Sequence, residues 1–202
     1  CDETALSVLE IKDLSARTGN KRRKSFRILS NNIASQIELH KQYGGVFPMM
    51  AKREHSKNIF PLFEKTLKEA GLLKISKPQK LKKAEKLEKI LEREPELLEY
   101  FLREMPKIKI PKIDAMAVTR GPGLEPALWV GINFAQALSL AWDIPIIPVN
   151  HMEGHIFSVL VPKINNKSFF VGSVQFPALS LLVSGGHTEL VLIKDWLKYK
   201  KI

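Results

Sequence analysis

The sequence predicts an α/β protein. Short aliphatic runs of strand length alternate with longer segments of helical periodicity, glycine and proline punctuate the boundaries, and the two kinds of segment are mixed along the chain. Leu6–Ile11 and Arg27–Ala34 read as strands, with Gly19–Lys24 as a basic turn between them. Pro48 to about Ala70 reads as a helix: Ile59, Leu62, Phe63 and Leu67 recur at helical spacing, Pro48 suits a first turn and Gly71 a C-terminal cap. Gln79–Met105 carries two apolar stripes, Leu81/Ala84/Leu87/Leu91 and Leu98/Phe101/Leu102/Met105. Pro95 starts the second, so the segment predicts a helical hairpin, with Glu85 and Lys89 as an i,i+4 pair. Ile113–Thr119 predicts a buried strand. Gly121-Pro122-Gly123 turns the chain, and Pro126–Trp142 predicts a buried helix with Trp129, Phe134 and Trp142 in the core. Ile144–Val149 is a strand, His151 onward a helix, and Leu179–Val183 and Thr188–Ile193 a hairpin around Ser184-Gly185-Gly186.

A chain of 202 residues, 45% hydrophobic and 26% charged, is ordinary globular material for one medium domain or two small ones. Cys1 is the single cysteine, which excludes an intrachain disulfide and a cysteine-based zinc knuckle and fits a reducing compartment. The most apolar stretch, Ala127–Trp142, is interrupted by Asn133 and Gln136 and is too short to span a bilayer. No secretory signal is visible. The expectation is a soluble, cytoplasmic protein without a membrane partner. The first residue is not Met, so a cut start is expected.

The net charge of +11 is concentrated. Lys12–Arg27 holds seven basic residues and one acid, and Lys74–Lys112 twelve basic residues and seven acids, so the rest of the chain is neutral. Such clustering points to a polyanion such as RNA, although solvated surface segments give the same pattern. Lys21, Arg22, Arg23 and Lys24 at the hairpin tip are the candidate RNA contacts. They are expected to outweigh the 74–112 segment, whose acids can pair locally with its lysines.

The sharpest chemical signal is His151-Met152-Glu153-Gly154-His155. Histidines four apart on a helix lie one turn above the other and can share a metal, and the preceding strand puts them where α/β folds bind ligands. Two histidines covering a surface helix read the same way. A metalloprotease needs Glu directly after the first His, and here Met152 stands there while Glu153 is rotated off the metal face. A third ligand is not assignable, with His187 one candidate. The second signal is Leu182-Val183-Ser184-Gly185-Gly186. A strand running into paired glycines offers backbone N–H groups to a phosphate or adenylate, or else is only a hairpin turn. Gly121-Pro122-Gly123-Leu124 before a helix is a third glycine loop, either an anion site or a tight turn.

Several segments in one order resemble the tRNA N6-adenosine threonylcarbamoyltransferase family of the actin/hexokinase/Hsp70-like (ASKHA) ATPase superfamily. They are Cys1–Ala5, Ser30–Gln36, Gly44–Pro48, Arg53-Glu54-His55, Ile113–Thr119, Gly121–Leu124, Val149–His155 and Ser184–Thr188. The resemblance implies an ASKHA-type α/β fold: residues 1–150 as the first lobe, with a helical insert at about 74–112, and 151–202 as a linking helix and the first hairpin of an incomplete second lobe. It implies transfer of a threonylcarbamoyl group from threonylcarbamoyl-adenylate to N6 of the adenosine 3′ of the anticodon, in tRNAs reading codons that begin with A. It also implies one divalent metal, iron(II) or zinc, on His151 and His155 with a third ligand downstream of this chain. Leu182, Val183, Ser184, Gly185 and Gly186 would lie against the adenylate, and other subunits of a modification complex would be partners. The chain departs from the family in Glu125-Pro126-Ala127, where small residues are usual, and in the length of the insert. The strand before Cys1 and everything after the second lobe's first hairpin are expected to be absent, which leaves the chain by itself inactive. The alternative is a non-catalytic nucleotide- or partner-binding scaffold of the same fold. A sugar or acetate kinase of the superfamily would leave the histidine pair unexplained.

Overall fold

The computed structural model describes residues 2–13, 24–81, 83–160, 168–169, 175–183 and 188–202, and for residues 13, 24, 160, 168 and 169 the backbone alone. In chain order the elements are strands β1 (Glu3–Asp13) and β2 (Lys24–Ser35), then helices α1 (Ile37–Lys41), α2 (Pro48–Glu69), α3 (Ala84–Leu91) and α4 (Pro95–Glu104). Strand β3 (Met116–Gly121), helix α5 (Glu125–Trp142), strand β4 (Ile146–Asn150) and helix α6 (His151–Leu160) follow. The chain continues in strands β5 (Ser168–Phe169), β6 (Ala178–Val183), β7 (Thr188–Asp195) and β8 (Lys198–Lys201). This is a mixed α/β architecture. It forms two compact units, Cys1–Leu9 with Ile28–Asn150, and Glu10–Arg27 with His151–Ile202.

In the first unit β3 and β4 pair in parallel across α5, a βαβ crossover. The strand expected from Ile113 starts only at Met116, because Ile113 N–H turns back onto the Pro111 carbonyl at 3.0 Å. Nor is it buried on both faces: its positions are half-buried or exposed. Ile144 leaves the next strand for the helical core, where it is buried and its carbonyl accepts the Ser139 hydroxyl at 2.7 Å. The short helix α1 and strands β5 and β8 were not anticipated.

The helical hairpin of α3 and α4 packs with α2 and α5 around an aromatic cluster. Phe60 stands at its centre, its ring 4.8 Å from Tyr100, 5.7 Å from Phe63 and 6.0 Å from both Phe101 and Phe134, mostly edge-on or tilted, as ring quadrupoles prefer. Glu94, at the start of α4, is buried. Its carboxylate lies 3.3 Å from Lys52 Nζ of α2 and accepts Asn133 Nδ2 of α5 at 3.1 Å, so a charge that would be costly alone is held between three helices. The expected Glu85–Lys89 pair does not close to ion-pair distance. α5 buries Val130, Phe134, Leu138 and Trp142, but Trp129 is 42% exposed and donates its indole N–H to Glu125 at 3.3 Å. The prediction of Trp129 as core fails because it lies off the buried stripe.

Where β1 and β2 meet α1 and α2 the interior is polar. Thr4, Asn32, Gln36, His40, His55 and Thr66 are all buried. Thr4 Oγ1 and His55 Nδ1 form a 2.6 Å hydrogen bond, Asn32 Nδ2 donates to Glu69 at 2.8 Å, and His40 Nε2 lies 3.0 Å from Gln36 Oε1. Burial, more than its neighbours His40 and the amino terminus, lowers the His55 pKa from its ordinary value near 6.5. The unfolded chain then binds a proton at a higher pH than the folded one. His55 contributes stability that is complete above about pH 6.5 and is lost as the pH falls below it toward the folded-state pKa. The loss in urea midpoint between pH 7.5 and 5.5 is therefore expected to shrink in His55→Gln. An unchanged pH dependence would contradict this origin.

In the second unit β6, β7 and β8 form an antiparallel sheet, with Ala178 opposite Ile193 and Val183 opposite Thr188. One face packs on α6 through Ile156, Val191 and Ile193, joined by Phe176, Leu182 and Tyr199. Leu179, Leu181 and Val183 lie on the other face and are 60%, 62% and 72% exposed. Among the described residues no helix is long and apolar enough to cross a membrane.

Candidate metal and ligand site

α6 begins at His151, the residue after β4 ends at Asn150. Its period of 3.6 residues brings His151 and His155 together. Their rings stack with centroids 4.7 Å apart and 29° between planes, and the two Nε2 atoms are 3.0 Å apart. His155 is exposed and His151 half-buried. A Zn–N bond is about 2.0–2.1 Å, so one ion bound to both nitrogens would subtend about 90–97°, close to the angle between neighbouring octahedral ligands and somewhat below the tetrahedral one. The pair therefore fits as adjacent ligands of one divalent metal.

Glu153 lies between the histidines in sequence but on another side of the helix. Its carboxylate acts on Tyr199 of β8, whose phenol is pushed above its ordinary pKa first by burial and then by Glu153. That agrees with a glutamate rotated off the metal face. Among the described residues no group of three histidine, cysteine, aspartate or glutamate side chains comes together.

The glycine-turn candidates are only partly described. Leu182 and Val183 end β6, the first packing toward α6 and the second on the opposite face. Ser184, Gly185, Gly186 and His187 lie outside the described residues, as do Lys21, Arg22 and Arg23, while Lys24 is the first residue of β2. In the first unit Gly121 and Gly123 adopt φ of +140° and +157°, conformations that favour glycine, ahead of α5. Glu125 in the first turn of that helix places negative charge where an anion would bind, so the tight-turn reading fits this loop better.

Sequence reading did not anticipate the buried polar layer as one structure. Thr4, Asn32, Gln36 and His55 come from the separate segments Cys1–Ala5, Ser30–Gln36 and Arg53-Glu54-His55, and His40 and Thr66 from α1 and α2, which only the fold joins. Alternating buried polar residues along β2 (Ser30, Asn32) were the available signal.

The profile of the tRNA N6-adenosine threonylcarbamoyltransferase family matches residues 27–77 and 88–202. Curated relatives of that name include one from Koribacter versatilis, 40% identical over 192 residues, covering 95% of this chain and 37% of the relative. One from Fusobacterium nucleatum is 37% identical over 195 residues (96% and 40%), and one from Persephonella marina 34% identical over 200 residues (99% and 41%). The chain thus spans about two-fifths of the length of these relatives. A match over most of the chain places it in a family: the chain belongs to the tRNA N6-adenosine threonylcarbamoyltransferases.

Proposed function

We propose that this chain is the part of a threonylcarbamoyl-transferring enzyme that carries two metal ligands and one edge of the adenylate site. The full-length protein would move the threonylcarbamoyl group from threonylcarbamoyl-adenylate to N6 of the adenosine 3′ of the anticodon in tRNAs reading codons that begin with A. The supporting observation is the 3.0 Å approach of His151 and His155 Nε2 in a chain of this family. The adenine amine attacks the carbamoyl carbonyl carbon, the carbon–oxygen bond to the adenylate phosphate breaks, AMP departs, and N6 loses a proton. Because that amine is a weak nucleophile, activation lies in the mixed anhydride and in positioning. His151 and His155 would hold one divalent ion, iron(II) or zinc, which supplies Lewis-acid polarisation and orientation of the adenylate. Ser184, Gly185 and Gly186 would place backbone N–H groups against it. We read the fold as ASKHA-type, with 1–150 as the first lobe and 151–202 as the start of the second. The setting we infer is the cytoplasm, in company with other subunits of a modification complex.

Incubating the full-length protein with threonylcarbamoyl-adenylate and such a tRNA tests the reading; absence of the modified nucleoside would overturn it. Gly185→Val or Gly186→Val is expected to weaken a non-hydrolysable adenylate analogue by about 5- to 150-fold, since a lost buried hydrogen-bonded contact costs on the order of 1–3 kcal/mol. Unaltered affinity would reduce the turn to a hairpin.

A further inference from the structure

The family profile passes over residues 78–87, which continue a segment that the structure lays beside the chain after α4. The chain after α2 runs back along the segment that follows α4: Lys109 N–H donates to the Lys74 carbonyl at 2.8 Å, Ser76 N–H to Lys107 at 2.7 Å and Gln79 N–H to Pro106 at 2.9 Å, with Ile75 bridged to Ile108. Two lysine-rich pieces about thirty residues apart are thereby laid side by side. Lys74, Lys77, Lys80 and Lys83 from one, and Lys109 and Lys112 from the other, are all exposed. No acid occurs between Lys74 and Lys83 or between Lys107 and Lys112.

Three of the insert's seven acids are held in ion pairs away from these lysines. Glu104 pairs with Arg103 and Lys107 at 2.8 Å, Glu99 with Arg103 at 3.7 Å, and Glu94 with Lys52 at 3.3 Å. None of the six lysines forms an ion pair with a described residue. The expectation that local acids quench this charge therefore holds for Arg103 and Lys107 and not for the ribbon.

We propose that this paired lysine ribbon is an RNA-backbone docking surface that recruits the tRNA substrate. The proposal rests on the tRNA reading above and adds to it a defined surface, of which Lys80 and Lys83 lie outside the residues the family profile matches. From Lys74 to Lys80 an extended chain reaches about 20 Å, long enough to face several consecutive phosphates. An anionic membrane is a poorer fit. Stable insertion at a lipid surface is favoured by a helix with a broad apolar face, whereas the ribbon is not helical and its exposed large apolar residues are Ile75 and Ile110.

The test uses the full-length protein, a fluorescent tRNA reading a codon that begins with A, and a series of salt concentrations without adenylate. Replacing all six lysines by alanine is expected to lower the slope of log affinity against log salt by between one and about four units, near 0.7 per lost contact. The six-arginine variant should keep the wild-type slope. A fall of less than one unit, or loss of slope in the arginine variant as well, overturns the ribbon. Binding of the wild type to phosphatidylserine vesicles in preference to tRNA overturns it too. Transfer is followed in parallel at saturating tRNA. A protein with no transferase activity whose slope still falls refutes the proposed reaction and keeps the ribbon, while an active enzyme with an unchanged slope does the reverse.

Discussion

On the reading proposed above, replacing His151 or His155 by alanine is expected to abolish threonylcarbamoyl transfer by the full-length protein and to lower its metal content. Each change removes one of two ring nitrogens that stand 3.0 Å apart. One remaining imidazole on a solvent-facing helix cannot hold a divalent ion tightly without its neighbour. Changes at groups that merely orient ligands already cost about 10–100-fold, so loss of a ligand itself should exceed about 100-fold in rate. The fold should be little affected in the His155 variant, because the side chain is exposed and substitutions at such positions are usually within about 0.5 kcal/mol. Metal analysis, a thermal melt and a single-turnover assay on the same preparations separate the effects. Unchanged metal content in both variants would refute the assignment, and a large fall in melting temperature for His155→Ala would move the effect from chemistry to folding.

Phe60→Ala should be the most damaging single change to the fold of the first unit. The side chain is 1% exposed and touches four other aromatic rings contributed by α2, α4 and α5. Truncation removes the burial of a full aromatic side chain and leaves a cavity that three helices cannot jointly close, at a cost of about 3–5 kcal/mol. Against a typical stability of about 5–15 kcal/mol that is a large share, corresponding to a melting temperature lower by roughly 10–15 °C. Phe60→Leu should recover more than half of the loss. A decrease below about 1 kcal/mol for the alanine variant would mean that the cluster is not the centre of this core.

Much of the local structure was legible in the sequence because it depends on neighbours in the chain. The helix from Pro48 to Glu69 follows from its apolar spacing, its N-terminal proline and the glycine after it; the break at Pro95 follows from the missing N–H of proline. The histidine pair was legible for the same reason, since residues four apart on a helix meet whatever the rest of the molecule does. Burial was read less well. Trp129 looked like core because composition reports how apolar a helix is, not which side of it finds a neighbour.

The sequence by itself determined the α/β class, the helix boundaries set by proline and glycine, the stacked histidines and the family. Only the tertiary structure decided which distant residues became partners. It set Thr4 against His55, 51 positions away, gave Glu94 to Lys52 and Asn133, and ran the lysines after α2 beside those after α4 while Glu99 and Glu104 turned to Arg103 and Lys107. The reason is physical. Helical spacing and turn chemistry are fixed within a few bonds, whereas the pairing of buried polar groups and the sorting of surface charge depend on which backbones come to lie within hydrogen-bonding distance. That is settled by how the helices pack around Phe60 and its neighbours, because burying those rings leaves the polar and charged residues to find partners, or solvent, where the packing puts them.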